Sequence, residues 1–270
     1  MSRESRVLLL RLALRDKSKS VLFATFPKSG WNWSADVLDY AVFRHFRGVY
    51  DIAYGDEGDL KRRVQKRSLF APADARARNH PAVRDEFPEL DIDLCLHTHG
   101  HWGESPLCGL DAAKTIIVAR NIPATLFSYY RSRRTDRSFE EVVTGGALKR
   151  IVQFYNSWAA FSRRPGSRLE VFHYEDLRRD PMAGFQAMAR SVFGVPLSEQ
   201  AVREAIEYFS FEKQKEREWR FAADEKQHFH FRGALDYSDM INAPVRQFIA
   251  RTLERELDGM FCDIVDSPKI

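Results

Sequence analysis

Short apolar runs separated by polar turns recur along the 270-residue chain with the rhythm of alternating strands and helices. Val21-Leu22-Phe23-Ala24-Thr25 is apolar and β-prone, long enough for one buried parallel strand. Phe26-Pro27 stops it, because proline has no N–H for a sheet ladder and holds the residue before it extended. Lys28-Ser29-Gly30 makes a compact turn, and from Trp31 to about Arg44 the positions Val37, Leu38, Ala41 and Val42 share one helical face. Further strands are predicted over 92–96, 114–119 and 168–173, of which the β-branched run from Lys114 to Ala119 is the clearest buried one. Helices are predicted over 124–134, 139–144 and 147–161, from about Pro181, Ser198 and Phe211 onward, and over 242–258. Ile151, Phe154, Tyr155 and Trp158 at helical spacing read as core. Residues 51–89 are polar and turn-rich, with a basic run from Lys61 to Lys66, and read as an insertion.

This alternation implies an α/β fold: one domain over 1–270, with a central parallel sheet flanked by helices. Hydrophobic residues at 44% and 20 phenylalanines supply a sizeable core and exclude global disorder. The net charge of +4 is mild; it suits a small anionic ligand and is too small to argue for nucleic acid by itself, so no nucleic-acid partner is expected. Three widely spaced cysteines, Cys95, Cys108 and Cys262, with no CxxC, point to a reducing, cytoplasmic setting. No apolar run is long enough to span a membrane. Residues 1–18 read as an amphipathic segment compatible with transient contact at a membrane surface.

Strand, tight loop with lysine and glycine, then helix is the geometry that turns free backbone N–H groups toward an anion. The loop is P-loop-like without being a nucleoside-triphosphate P-loop: G-x-x-x-x-G-K-[ST] occurs nowhere, and here the lysine precedes the glycine. His97, His99 and His101 alternate after the second predicted strand, which invites a metal reading. Gly100 breaks the extended run and no cysteine or carboxylate stands at ligand spacing, so a general base is the better reading and no metal is expected. Arg120 closes the clearest strand, where ligands bind in open α/β sheets, and Ser128 follows two helical turns later.

T-F-P-K-S-G followed by Trp33 resembles the 5′-phosphosulfate loop of sulfotransferases that use 3′-phosphoadenosine 5′-phosphosulfate (PAPS). Four more elements resemble that family in the same order: VARNIPATLFSYY at 118–130, Tyr174-Glu175-Asp176-Leu177, Phe209-Ser210-Phe211-Glu212, and the segment 229–237 around Arg232-Gly233. Together they cover roughly residues 19 to 258. The resemblance implies transfer of the sulfuryl group from PAPS to a hydroxyl of a small-molecule, glycolipid or natural-product acceptor, leaving 3′-phosphoadenosine 5′-phosphate (PAP). It implies that Lys28 meets the bridging oxygen, and that the backbone of Ser29, Gly30, Trp31, Asn32 and Trp33 holds the 5′-phosphate. Arg120 and Ser128 fall on the family's grip for the 3′-phosphate, Tyr174 on a residue facing the nucleotide, and Phe211 on the adenine platform opposite Trp33. Arg232 and Gly233 fall on the loop that closes over the 3′-phosphate, where Phe231 replaces the first basic residue. His99 falls on the base, with His97 or His101 as the alternative; His97 stands where cytosolic relatives carry lysine, and Trp31-Asn32 where the family has Thr-Thr. The acceptor loops are expected at 51–89 and 132–146. The dimer signature of animal cytosolic members is not matched around Thr252, so the oligomeric state is left open. An ATP-dependent kinase and a non-catalytic nucleotide- or RNA-binding module are the competing readings.

Overall fold

A computed structural model of the chain describes residues 19–48, 69–72, 83–90, 92–102, 114–133, 135–213 and 241–265. The amphipathic segment 1–18, most of the insertion 51–89 and Cys108 lie outside them. Five parallel strands make one sheet: β1 (Ser20–Ala24), β2 (Phe70–Pro72), β3 (Leu94–Thr98), β4 (Lys114–Ala119) and β5 (Arg168–His173), in the order β2-β3-β1-β4-β5. The helices are α1 (Trp31–Arg47), α2 (Val83–Glu86), α3 (Ile122–Ser132), α4 (Phe139–Val142), α5 (Leu148–Ser162), α6 (Tyr174–Arg179), α7 (Pro181–Phe193), α8 (Glu199–Tyr208) and α9 (Ala243–Glu256). None of the described helices is long and apolar enough to cross a membrane.

The period-two alternation of the strands splits the interior into two layers. Leu22 and Ala24 of β1, with Ile117 and Ala119 of β4, pack against Ile122 and Leu126 of α3, Ile151 and Trp158 of α5, and Ile249 of α9. Val21 and Phe23, with Ile116 and Val118, face the other way onto Val37 and Leu38 of α1, Phe185 and Met188 of α7, and Val202 of α8. Strands buried on both faces read as continuous apolar runs, which is why β4 stood out in the sequence.

The layering positions the site. After β1 the chain turns to the face that holds α1; after the neighbouring β4 it turns to the face that holds α3. Adjacent strands whose following helices take opposite faces leave a crevice beyond their carboxyl ends, the usual ligand position of such sheets. The turn at Lys28 and the corner at Arg120 are the two lips of that crevice.

The structure corrects several expected boundaries. Part of the expected insertion is sheet: β2 pairs with β3 at the edge, where Pro72 is tolerated because an edge strand need not donate on both sides. β3 runs two residues later than 92–96, so His97 and Thr98 are themselves strand residues, opposite Phe23 and Ala24. Helix α3 starts at Ile122, with Pro123 in its first turn and the Asn121 side chain accepting from the Ala124 N–H at 2.9 Å. A π-helical turn, Val143–Ala147, joins α4 to α5 around Gly146, whose φ is +109°. Helix α6 and the terminal 3₁₀ turn Gly259–Ile264 were not expected.

Candidate active site

The loop after β1 begins with a tight turn in which the Ser29 N–H donates to the Phe26 carbonyl at 3.1 Å. Pro27 takes the second position and Lys28 the third, with φ at +75°. This is a type II pattern, whose third place ordinarily goes to glycine. A lysine held there stores about 1–2 kcal/mol of backbone strain. Gly30 comes next with φ at +101°, and a Cβ on it would sit 2.4 Å from Tyr174 Cδ2, so both its conformation and its neighbour demand glycine. Helix α1 starts immediately afterward with no side-chain cap and no acidic residue in its first turn. Its leading N–H groups and the positive end of its dipole therefore face the crevice without an internal counter-charge.

Arg120 ties the two lips together. Its Nη1 donates to the Lys28 carbonyl at 3.0 Å, and its guanidinium carbon lies 4.6 Å from the centre of the Tyr174 ring. Tyr174 in turn meets Trp33 edge-on at 5.8 Å, and Trp33 leans on Phe185 at 5.0 Å. Lys28, Gly30, Trp33, Arg120 and Tyr174 are thus brought to one place from four elements. Arg120 Nε is buried there with no hydrogen-bond partner, and Ser29 Oγ is buried beside the Tyr155 hydroxyl. Buried polar groups are normally satisfied, and phosphate oxygens in the crevice would satisfy that nitrogen. The residues present fit a phosphorylated nucleotide.

Two supports were missed in the sequence. Glu175 Oε1 accepts from the Asn121 N–H at 3.0 Å and fixes the corner that carries Arg120. The Tyr155 hydroxyl lies 3.5 Å from the Arg120 N–H, and burial pushes its pKa up to about 12, so it stays a neutral phenol. Tyr155 belonged to an apolar helical stripe, and no sequence signal marked its hydroxyl. Glu175 was visible within Tyr174-Glu175-Asp176-Leu177 but had no evident task.

The histidines stand on the other side of the loop. His99 Nδ1 lies 2.7 Å from the Thr25 carbonyl, which can only accept, so Nδ1 carries the proton and Nε2 keeps its lone pair. By area His99 is open to solvent, yet neighbouring atoms crowd its ring; that desolvation and then the Lys28 charge lower its pKa, against the opposing bond to Thr25. His97 Nε2 lies 3.0 Å from Thr25 Oγ1, and its ring is stacked on Trp31 at 3.8 Å and 3°. Burial, with His99 alongside, drives its pKa down to about 2. His101 meets the Phe154 ring at 6.1 Å. No cluster among the described residues has the makings of a metal site.

The remaining candidates are more dispersed. Asn32 is exposed in the first turn of α1, Ser128 is half-buried two turns into α3, and Phe211 is half-buried just past α8. Trp31 turns its indole away from the Arg120 side, toward His97, Phe23 and Phe70. Arg232 and Gly233 lie outside the described residues.

Fold and crevice define an α/β protein whose sheet switch point is suited to phosphate groups, beside an imidazole of lowered pKa. The model of the sulfotransferase domain family matches residues 18–238, and the chain belongs to that family. It is an enzyme of PAPS-dependent sulfuryl transfer. The solved structure of mouse sulfotransferase SULT7A1 complexed with PAP is similar, with a TM-score of 0.61 and 13% identity over 97% of this chain and 92% of that one. Retinol dehydratase in complex with androsterone and inactive cofactor PAP gives a TM-score of 0.60 at 15% identity, covering 96% and 87% of the two chains. Its complex with retinol and PAP gives 0.58 at 16% identity, covering 96% and 88%. At such identities the likeness speaks for the fold. No curated protein matches the sequence.

Proposed function

We propose that Lys28 and His99 carry the sulfuryl transfer, which moves the group in line from PAPS onto a hydroxyl of a small-molecule acceptor. PAPS supplies an activated sulfuryl group and a stable leaving nucleotide; the chain aligns the partners and neutralises charge. His99 Nε2 takes the proton of the acceptor hydroxyl as its oxygen bonds to sulfur. Lys28 and the leading N–H groups of α1, from Ser29 to Trp33, receive the negative charge that gathers on the departing 5′-phosphate. Arg120 and Ser128 grip the 3′-phosphate, with Arg232 and Gly233 closing over it, and Trp33, Tyr174 and Phe211 border the adenosine. His97, neutral and with Nε2 engaged by Thr25, is less suited to act as base than His99.

The observation that carries this reading is the 2.7 Å bond from His99 Nδ1 to the Thr25 carbonyl, one residue from the turn that presents Lys28. It fixes the tautomer a general base requires. The acceptor class is proposed from the surroundings: the stacked Trp31 and His97 rings beside His99 are flat and largely apolar, which suits a hydroxyl on an apolar or aromatic skeleton. The related retinol dehydratase structures hold androsterone and retinol, molecules of that kind. A reducing, cytoplasmic setting is the proposed location, in keeping with the free thiols of Cys95 and Cys262.

Transfer of labelled sulfuryl from PAPS across a panel of phenols and alcohols tests the assignment. Lys28→Ala and His99→Ala are expected to lose about a hundredfold or more in kcat while remaining folded. Wild-type kcat in His99→Ala would remove it from the role of base.

A further inference from the structure

Resting on the reading of His99 as base, we infer that Thr25 and His97 are positioning residues of the transfer, held in place by the Trp31 ring. Thr25 is fully buried where β1 gives way to the loop, and it offers both its backbone and its side chain to the imidazole pair. The carbonyl accepts the His99 Nδ1 proton at 2.7 Å, and Thr25 Oγ1 lies 3.4 Å from the same nitrogen. With Oγ1 on the accepting side there, its own proton is free to go to His97 Nε2, 3.0 Å away. Each bond assigns the next: His99 protonated on Nδ1, the Thr25 hydroxyl turned toward His97, and His97 neutral with its proton on Nδ1.

The rings complete the clamp. Trp31 lies parallel to His97 at 3.8 Å and is itself wedged by Phe23 at 5.2 Å and Phe70 at 5.2 Å. His97 meets His99 edge-on at 4.4 Å and 89°. Three strands and the first turn of α1 thereby converge on the orientation of one imidazole. Lys28 is the charged group that bears on His99, and His99 the titratable group that bears on His97. This arrangement also gives a task to Trp31, whose side chain has no place in holding the nucleotide, and to His97, which is not needed as base.

The experiment compares Thr25→Val, which keeps the shape and deletes the hydroxyl, with Thr25→Ser, which retains it. It also compares His97→Phe, which keeps a ring on Trp31 and deletes Nε2, with His97→Gln, which returns a polar acceptor. Thr25→Val and His97→Phe are expected to lower kcat about ten- to a hundredfold, with acceptor KM and PAP affinity unchanged. Thr25→Ser and His97→Gln are expected to restore most of it. Wild-type kcat in Thr25→Val or His97→Phe, alongside an inactive His99→Ala, overturns the inference and leaves the base assignment standing. So does a loss that appears in PAP affinity or KM instead of kcat, or one that the serine and glutamine variants share. Wild-type kcat in His99→Ala overturns the underlying reading instead. Should Thr25→Val not fold, the His97 pair decides alone.

Discussion

At the scale of single residues, environment decides which of several plausible side chains suits the chemistry. Three alternating histidines were candidates in the sequence, His99 preferred by the resemblance and His97 or His101 the alternative. Placement separates them: His101 meets the Phe154 ring, His97 is buried against an indole, and His99 pairs an engaged Nδ1 with crowding and the nearby Lys28 charge. The same burial makes His97 a stability group with a definite sign. Its pKa falls from 6.5 to about 2 in the folded chain, so below pH 6.5 the unfolded chain takes up a proton that the folded one refuses. Stability from this group is complete above that pH and is lost as pH falls, by about 1.4 kcal/mol per pH unit. Melting curves taken between about pH 6.5 and 4.5 are expected to fall more steeply for wild type than for His97→Phe. Parallel curves would show that His97 ionises freely in the folded state.

At the scale of elements, the strand–turn–helix from β1 to α1 was legible because three constraints agree in sequence. An apolar run ends at proline, a glycine follows, and helical spacing resumes at once. The structure adds what spacing does not encode: Lys28 at positive φ, and Gly30 pressed against a ring 144 positions later in the chain. Gly30→Ala is expected to destabilise the fold by roughly 1–3 kcal/mol and to displace Tyr174 from Arg120. Chemical denaturation and PAP binding of that variant check it; unchanged values for both would mean the ring has room to retreat. β2 was missed because its three residues sit beside a basic, turn-rich run, and an edge strand that short leaves no periodic signature. β3 was set two residues early because His97 and Thr98 are polar, and a polar end on a central strand reads as loop. Its polarity is there because the strand's end serves the site. The buried supports Glu175 and Tyr155 were illegible for a related reason: each acts on a backbone group whose position only the folded sheet supplies.

At the scale of the whole molecule, two cores divided by one sheet set the chemistry. Because α1 and α3 leave adjacent strands toward opposite faces, the Lys28 turn and the Arg120 corner must meet at the crevice, and the Arg120–Lys28 bond at 3.0 Å records that meeting. Buried polar atoms of Ser29 and Arg120 give that crevice a lining whose counterpart is anionic. A kinase reading would require that crevice to favour ATP; the sulfotransferase reading requires the 3′-phosphate. Titration calorimetry of the full chain with PAP, with ATP in parallel and Arg120→Ala beside wild type, separates them. PAP is expected to bind wild type in clear preference to ATP, and Arg120→Ala to lose about 2–4 kcal/mol of that affinity, roughly thirty- to a thousandfold. Equal binding of ATP, or a PAP affinity untouched by Arg120→Ala, would contradict the placement of the nucleotide between the two lips of the crevice.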